Sequence, residues 1–203
     1  MSYKKQNATL LLKKARLSFT QSLFEPKQVS NKNPAKTYSA CFIIEAGKTQ
    51  VLLQEGETKT PVNPVEFVNT MLVKAFEKVT PKHKNWVLRA NSDCVSKAGD
   101  RYAGFEDDDG FHMNPKKAEK DGPPIFMNRG RAISVDEARN LFYGGCYVNA
   151  KITVITYNGD ESVGATAYLV GVNFVEDGDP FSARNDGSGM EDDDATEMDE
   201  DAI

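Results

Sequence analysis

The chain has 203 residues, 39% of them hydrophobic, which is enough for one well-filled core. No run of about 18 apolar residues is present to cross a membrane as a helix, and the opening MSYKKQNATLLLKK has no small-residue cleavage site of a secretory signal. The formal net charge of −5 hides an asymmetry: residues 186–203 hold nine Asp or Glu and no Lys or Arg, leaving residues 1–185 with 25 basic against 21 acidic groups, a net of +4.

Taken in order, ATLLLKKARLSF (8–19) reads as a long first strand, with Leu11, Ala15, Leu17 and Phe19 on the core face and Lys14, Arg16 and Ser18 opposite. The next stretch, TQSLFEPKQVSNKNPAK, is rich in Pro, Asn and Ser without helical period. It is expected to be a mobile basic loop carrying Lys27, Lys32 and Lys36, with Phe19 and Phe24 as aromatic landmarks. TYSACFIIE (37–45) reads as a central strand. Asn63-Pro64-Val65-Glu66 opens a helix with a cap, a first-turn proline and a Glu placed for a capping box. Its stripe Phe67, Val68, Met71, Leu72, Ala75 and Phe76 should pack on the core.

Residues 86–95 read as a further strand, followed by the loop KAGDRYAGFEDDDG. That loop interleaves Lys97, Arg101, Tyr102 and Phe105, a mixture suited to single-stranded nucleic acid. Short strands are expected at Phe111 to Met113 and Pro123 to Met127, then a turn presenting Arg129 and Arg131, then a capping box at Ser134 opening a short helix to about Leu141.

A long hairpin follows, with Asn158-Gly159 as the signature of a two-residue turn. Before the turn Val148, Ala150, Ile152 and Val154 point one way and Tyr147, Asn149, Lys151, Thr153 and Tyr157 the other, with Ile155 breaking the pattern. After it Val163, Ala165, Ala167 and Leu169 continue the apolar face, opposite Thr166 and Tyr168. Tyrosines, a lysine and small polar groups suit a surface on which bases stack and phosphates are neutralised, although Tyr and Thr are favoured on any strand face. From Ser182 onward the apolar content is too low to offset the entropy of ordering. The expected division is a body, 1–182, and a disordered acidic tail, 183–203. Many strands with one substantial and one short helix that do not alternate with them fit a mainly β, OB-fold-like barrel.

Catalytic and cofactor chemistry has no positive signal. The three cysteines, Cys41, Cys94 and Cys146, lack CxxC spacing and read as buried thiols of a reduced, intracellular protein. His83 and His112 lack metal-ligand spacing, and no phosphate-binding glycine loop or nucleophile elbow occurs. Asp107-Asp108-Asp109-Gly110 resembles half a calcium loop but lacks its alternating ligands and closing Glu, so it reads as a solvated turn. No metal and no cofactor are expected.

ARLSFTQSLFEPK, GGCYVNAKI and EDGDPFS, in that order and spacing, resemble a family of bacteriophage single-stranded-DNA-binding proteins with an OB fold and an acidic C-terminal tail, broadly like the replication proteins of T7-type phages. The resemblance covers most of residues 8–182. It implies a role in DNA replication, recombination and repair in the cytoplasm of an infected bacterium. It also implies a tail (Glu191, Asp192, Asp193, Asp194, Glu197, Asp199, Glu200 and Asp201) that engages replication proteins such as a polymerase or helicase. Two departures stand: the chain finishes Asp201-Ala202-Ile203 where such tails finish in an aromatic residue, and the segment from Ala46 to Asn63 is longer than the family pattern.

Residue chemistry and expected facing, rather than the resemblance, select the contacts. Tyr102, Phe105, Tyr143 and Tyr147 are the stacking candidates, and Lys27, Lys36, Arg101, Arg129, Arg131 and Lys151 the phosphate candidates. Nothing in this set reads a 2′-hydroxyl, so RNA remains open as a ligand. Two other classes remain open: a β-barrel interaction protein whose acidic tail engages a partner without touching DNA, and a metal-dependent nuclease.

Overall fold

The computed structural model describes residues 7–30, 33–76, 104–107, 110–158 and 163–181. The expected strand at 86–95, Cys94, Arg101, Tyr102 and the acidic tail residues lie outside them. One curled sheet of 13 strands organises the chain. Its centre is β1 (Asn7–Ser18) between β12 (Tyr147–Asn158) and, along the other edge, β4 (Cys41–Ile44) and β5 (Gln50–Glu55). From β12 the sheet runs on through β13 (Val163–Glu176) to β9 (Lys116–Ala118), β3 (Asn33–Ser39) and β2 (Lys27–Ser30). From β4 it runs to β8 (Gly110–Met113) and β7 (Gly104–Asp107). The hairpin partner β6 (Thr58–Pro61) lies beside β5, and β10 (Ile125–Asn128), carrying β11 (Arg131–Ala132), pairs parallel with β13. The fold is mainly β and OB-like, as expected.

The inner face holds the core. Leu10, Leu12, Ala15, Leu17, Val148, Ala150, Ile152, Val154, Ala165, Ala167 and Leu169 are buried there. Helix α2 (Pro64–Phe76) packs across β12 and β13 through Val68, Met71, Leu72 and Ala75. Asn63 caps it, its Oδ1 accepting from the N–H groups of Val65 (3.0 Å) and Glu66 (3.1 Å). A second part of the core is aromatic: Phe24 stacks on Phe126 at 5.5 Å, Phe126 meets Phe142 at 5.8 Å, and Phe142 meets Phe174 edge-on at 5.9 Å.

Helix α3 (Val135–Leu141) opens with the expected capping box, in which the Ser134 Oγ accepts from the Glu137 N–H and the Glu137 carboxylate accepts from the Ser134 N–H. Both that N–H and the Ser134 hydroxyl hold the Glu137 carboxyl below its ordinary pKa, and nearby Arg131 adds to the effect.

Several expectations need correction. On β1 the early core face is Leu10 and Leu12, while Leu11 is only half-buried. A bulge between Leu12 and Ala15, with Lys14 at φ 58°, shifts the alternation by one residue. Phe19 is 78% exposed rather than in the core, because its own φ of 52° turns it out of the strand. The expected mobile loop after it is structured: helix α1 (Gln21–Phe24), which buries Leu23, then the β2–β3 hairpin.

The single strand expected over 37–45 is two, β3 and β4, separated at buried Ala40. Part of the stretch expected as a loop before Gly110 forms β7, and Asp107 pairs with Gly110. The segment from Ala46 to Asn63 forms the β5–β6 hairpin on the edge of β1. Asn158 pairs with Val163 and so ends a strand instead of occupying the centre of a two-residue turn.

Candidate nucleic-acid interface

The outward face of the central strands is set by strand registers, since residues paired across a ladder share a face. One row joins Gln54, Thr9, Thr153, Tyr168 and Lys116 across β5, β1, β12, β13 and β9. The next joins Leu52, Leu11, Lys151, Gly171 and Ile125. Gly171 is required there, because a Cβ would stand 2.7 Å from the Ile125 carbonyl oxygen. A third row is hydrogen-bonded sideways: the Lys14 N–H donates to Asn149 Oδ1 (3.0 Å), Asn149 pairs with Asn173, and Asn173 Oδ1 accepts from the Gly130 N–H (3.4 Å). Two asparagine oxygens are thereby committed to the protein itself. The resulting surface carries Lys116 and Lys151, one exposed tyrosine and small polar groups around an apolar row of half-buried Leu52 and Leu11 and exposed Ile125, with the arginine turn at its margin.

At one end of this face three separate stretches of chain are clasped together. The Arg16 guanidinium donates to the Asp179 carbonyl (2.7 Å) and lies 4.2 Å over the Phe181 ring. Tyr143 closes the same strap: its hydroxyl lies 3.0 Å from Asp177 Oδ1 and 2.9 Å from the Gly178 carbonyl, and accepts from the Gly178 N–H at 3.0 Å. Burial pushes the Tyr143 hydroxyl above the usual tyrosine pKa; the Gly178 N–H opposes that, and neighbouring Asp177 adds to it. Gly145, at φ 112°, passes so close to the Asp179 backbone that a Cβ could not fit. Lys14 is bonded to Glu176 at 2.8 Å, which with that charge raises its pKa, and lies 5.4 Å over the Tyr147 ring.

The site candidates therefore fall into separate places. Lys151 is exposed in the middle of the outward face, and Tyr147 lies on the same face toward the clasp, half-buried, its hydroxyl donating to Glu45 Oε2 at 3.2 Å. Arg129 and Arg131 are exposed at the β10–β11 turn beside Asn173, as the sequence suggests. Lys27 and Lys36 lie on the β2–β3 hairpin at one end of the strand path. Phe105 belongs to β7 at the other end. Tyr143 is committed to the strap. Three exposed aromatics escaped selection: Tyr168, 42% exposed in the Thr153 row, Phe19 and Phe181. The alternation of β13 already places Tyr168 outward, so it was legible; Phe19 was not, because its exposure depends on a positive φ.

Among the described residues no group of three or more His, Cys, Asp or Glu could hold a metal ion, and no helix is long and apolar enough to cross a membrane. Cys41 and Cys146 are buried and form no disulfide among the described residues, and Cys41 Sγ lies 3.4 Å from His112 Nδ1.

The family described as "Enterobacter phage Enc34, ssDNA-binding protein" matches residues 8–203. Protein p50 of Acyrthosiphon pisum secondary endosymbiont phage 1 is 29% identical over 195 residues, covering 95% of this chain and 96% of that protein. Among solved structures, the single-stranded DNA-binding protein from bacteriophage Enc34 in complex with ssDNA superposes with a TM-score of 0.54 at 16% identity, covering 86% of this chain and 89% of that one. The single-stranded DNA-binding protein gp2.5 of bacteriophage T7 superposes with a TM-score of 0.49 at 15% identity, covering 94% and 97%.

Proposed function

The chain belongs to the single-stranded-DNA-binding protein family of phage Enc34, and we propose that it binds single-stranded DNA, without sequence preference, across the outward face of β1, β12, β13 and β9. The family match over residues 8–203 supports the single-stranded-DNA reading. The face supplies the chemistry: Tyr168 offers a ring for a base, and Lys151, Lys116, Arg129 and Arg131 offer charge along a backbone path. Stacking of this kind contributes about 1–3 kcal/mol per base and tolerates any base. Asn149 and Asn173, the amides best placed to read base edges, have their oxygens occupied by Lys14 and Gly130. Single-stranded RNA is expected to compete, since no group is set aside for a 2′-hydroxyl.

The working context that fits is phage DNA replication, recombination and repair in the cytoplasm of the infected bacterium. The acidic segment after residue 185 would contact replication proteins such as a polymerase or helicase. The protein would act by binding alone and leave DNA intact in Mg²⁺ or Mn²⁺.

The test is a fluorescence titration of labelled dT oligonucleotides of several lengths at low salt, in parallel with a duplex of equal length. Binding to the single strand with far weaker binding to duplex is the expected result. Equal affinity for both, or none for either, overturns the proposal.

A further inference from the structure

Where β1 ends, a cleft of about 400 Å³ opens between Phe19 and Phe181, outside the face described above. We propose that it is a nucleobase pocket, in which one base of the bound strand stacks on Phe19 while the adjoining phosphate meets Lys27; this rests on the single-stranded-DNA reading and extends it to a second contact site.

Phe19 is the first observation. A phenylalanine at φ 52° is uncommon, because that backbone region disfavours bulky residues, and here it holds the ring 78% exposed. The ring is nevertheless held on a firm base. Leu17 and Leu23 on either side are fully buried. The Leu17 N–H donates to the Cys146 carbonyl (2.9 Å), the Gly145 N–H to the Leu17 carbonyl (2.8 Å), and the Leu23 N–H to the Thr20 carbonyl (3.0 Å). An aromatic surface presented to water on an anchored turn is prepared for a flat partner at little ordering cost.

The opposite wall is prepared as well. The Phe181 N–H donates to the Gly144 carbonyl at 3.1 Å, and the Arg16 guanidinium lies over the ring, so Phe181 is pinned from the sheet side. Between the rings the lining is polar: Ser18, Gln21, Ser22 and Lys27 contribute hydroxyls, an amide and an ammonium, and among the described residues no carboxylate lines the cleft. Lys27 Nζ donates to Gln21 Oε1 at 2.8 Å, which sets the ammonium at the rim with donor capacity to spare. Lys36, opposite Gln28 on the same hairpin, adds a second positive charge nearby. Aromatic walls, hydrogen-bonding edges and a rim cation match a base and its phosphate; an apolar peptide would leave the polar groups unmatched.

Position supports the same occupant. The cleft is built from residues 18–22 with Lys27, Gly144 and Phe181, and Arg16, two residues before Ser18, lies over the Phe181 ring. Arg16 pairs with Tyr147, so the outward face reaches the cleft along the end of β1.

The experiment compares wild type with Phe19→Ala, Phe19→Leu and Phe19→Trp by anisotropy of a labelled dT oligonucleotide at low salt, alongside thermal melting. Phe19→Ala and Phe19→Leu are expected to weaken binding by about 5- to 100-fold, the equivalent of one lost stacking contact. Both should melt close to wild type, because the ring is 78% exposed and buries little on folding. Phe19→Trp should retain the affinity. Wild-type affinity in Phe19→Ala or Phe19→Leu overturns the pocket, the second because apolar bulk alone would then suffice. Loss of binding in the wild type itself contradicts the proposed function instead, so the two failures are distinguishable.

Discussion

Tyr143 shows how single residues hold the clasp. Its one hydroxyl accepts from the Gly178 N–H and has the Asp177 carboxylate and the Gly178 carbonyl as alternative acceptors for its single hydrogen. Tyr143→Phe leaves that N–H without its partner in a part-buried place and should cost about 1–2 kcal/mol, read as a lower melting temperature. The pH dependence follows from the direction of the shift. A tyrosine whose folded pKa lies above its unfolded value contributes stability that is present below the unfolded pKa. That contribution is lost as the pH rises toward the folded one. The wild type should therefore lose part of its advantage over Tyr143→Phe above about pH 10. A constant difference between the two up to pH 11 would show that the hydroxyl is not held as described.

At the same scale, Gly145→Ala should be severely destabilising, because it adds a Cβ against the Asp179 backbone at a positive φ. The pair Gly144-Gly145 opens the GGCYVNAKI stretch but carries no side-chain chemistry, so the residues themselves give no reason for it. Its role becomes visible only when residues more than thirty positions later fold back onto it.

Among the elements, the β12–β13 hairpin was the most legible and β1 the least evenly so. Strict alternation from Val148 to Val154 leaves only one way to bury a β12 face, and those residues are buried. In β1 the run Leu10-Leu11-Leu12 is apolar on both faces, so period alone cannot select one, and the bulge at Lys14 then reverses the phase. The β2–β3 hairpin was missed because its partner is β9, about eighty residues away, and its own sequence has the composition of a loop. Helix starts were readable because Asn63 and Ser134 are local signals with local consequences.

The hairpin also separates stability from function in an experiment. Ile152→Ala removes a fully buried side chain and should cost about 2–5 kcal/mol, with the DNA affinity of the folded fraction unchanged. Lys151→Gln, one residue earlier and exposed, should leave the melting temperature within a degree or two and weaken DNA binding. The reverse pattern would mean that the two faces have been exchanged.

For the whole molecule, the charge arithmetic matters most. A body of net +4 is joined to nine acidic residues with no basic one among them. Tethering gives those residues a high effective concentration, on the order of millimolar, at any basic surface within reach. Deleting residues 186–203 should therefore tighten single-stranded DNA binding, most at low salt, where screening is least. Unchanged affinity at both low and high salt would reduce the acidic segment to a solubilising role.

Charge also supplies the most direct test of the outward face as the DNA surface. Binding to a single strand should weaken linearly in log affinity against log salt, with a slope near −0.7 for each phosphate neutralised. The measurement is that slope for wild type and for the double variant Lys151→Gln with Arg129→Gln, both positions exposed and outside the buried core. The account predicts a slope shallower by about 1.4 in the double variant, with melting unchanged. A slope identical to that of wild type would place the bound strand elsewhere on the molecule and contradict the account.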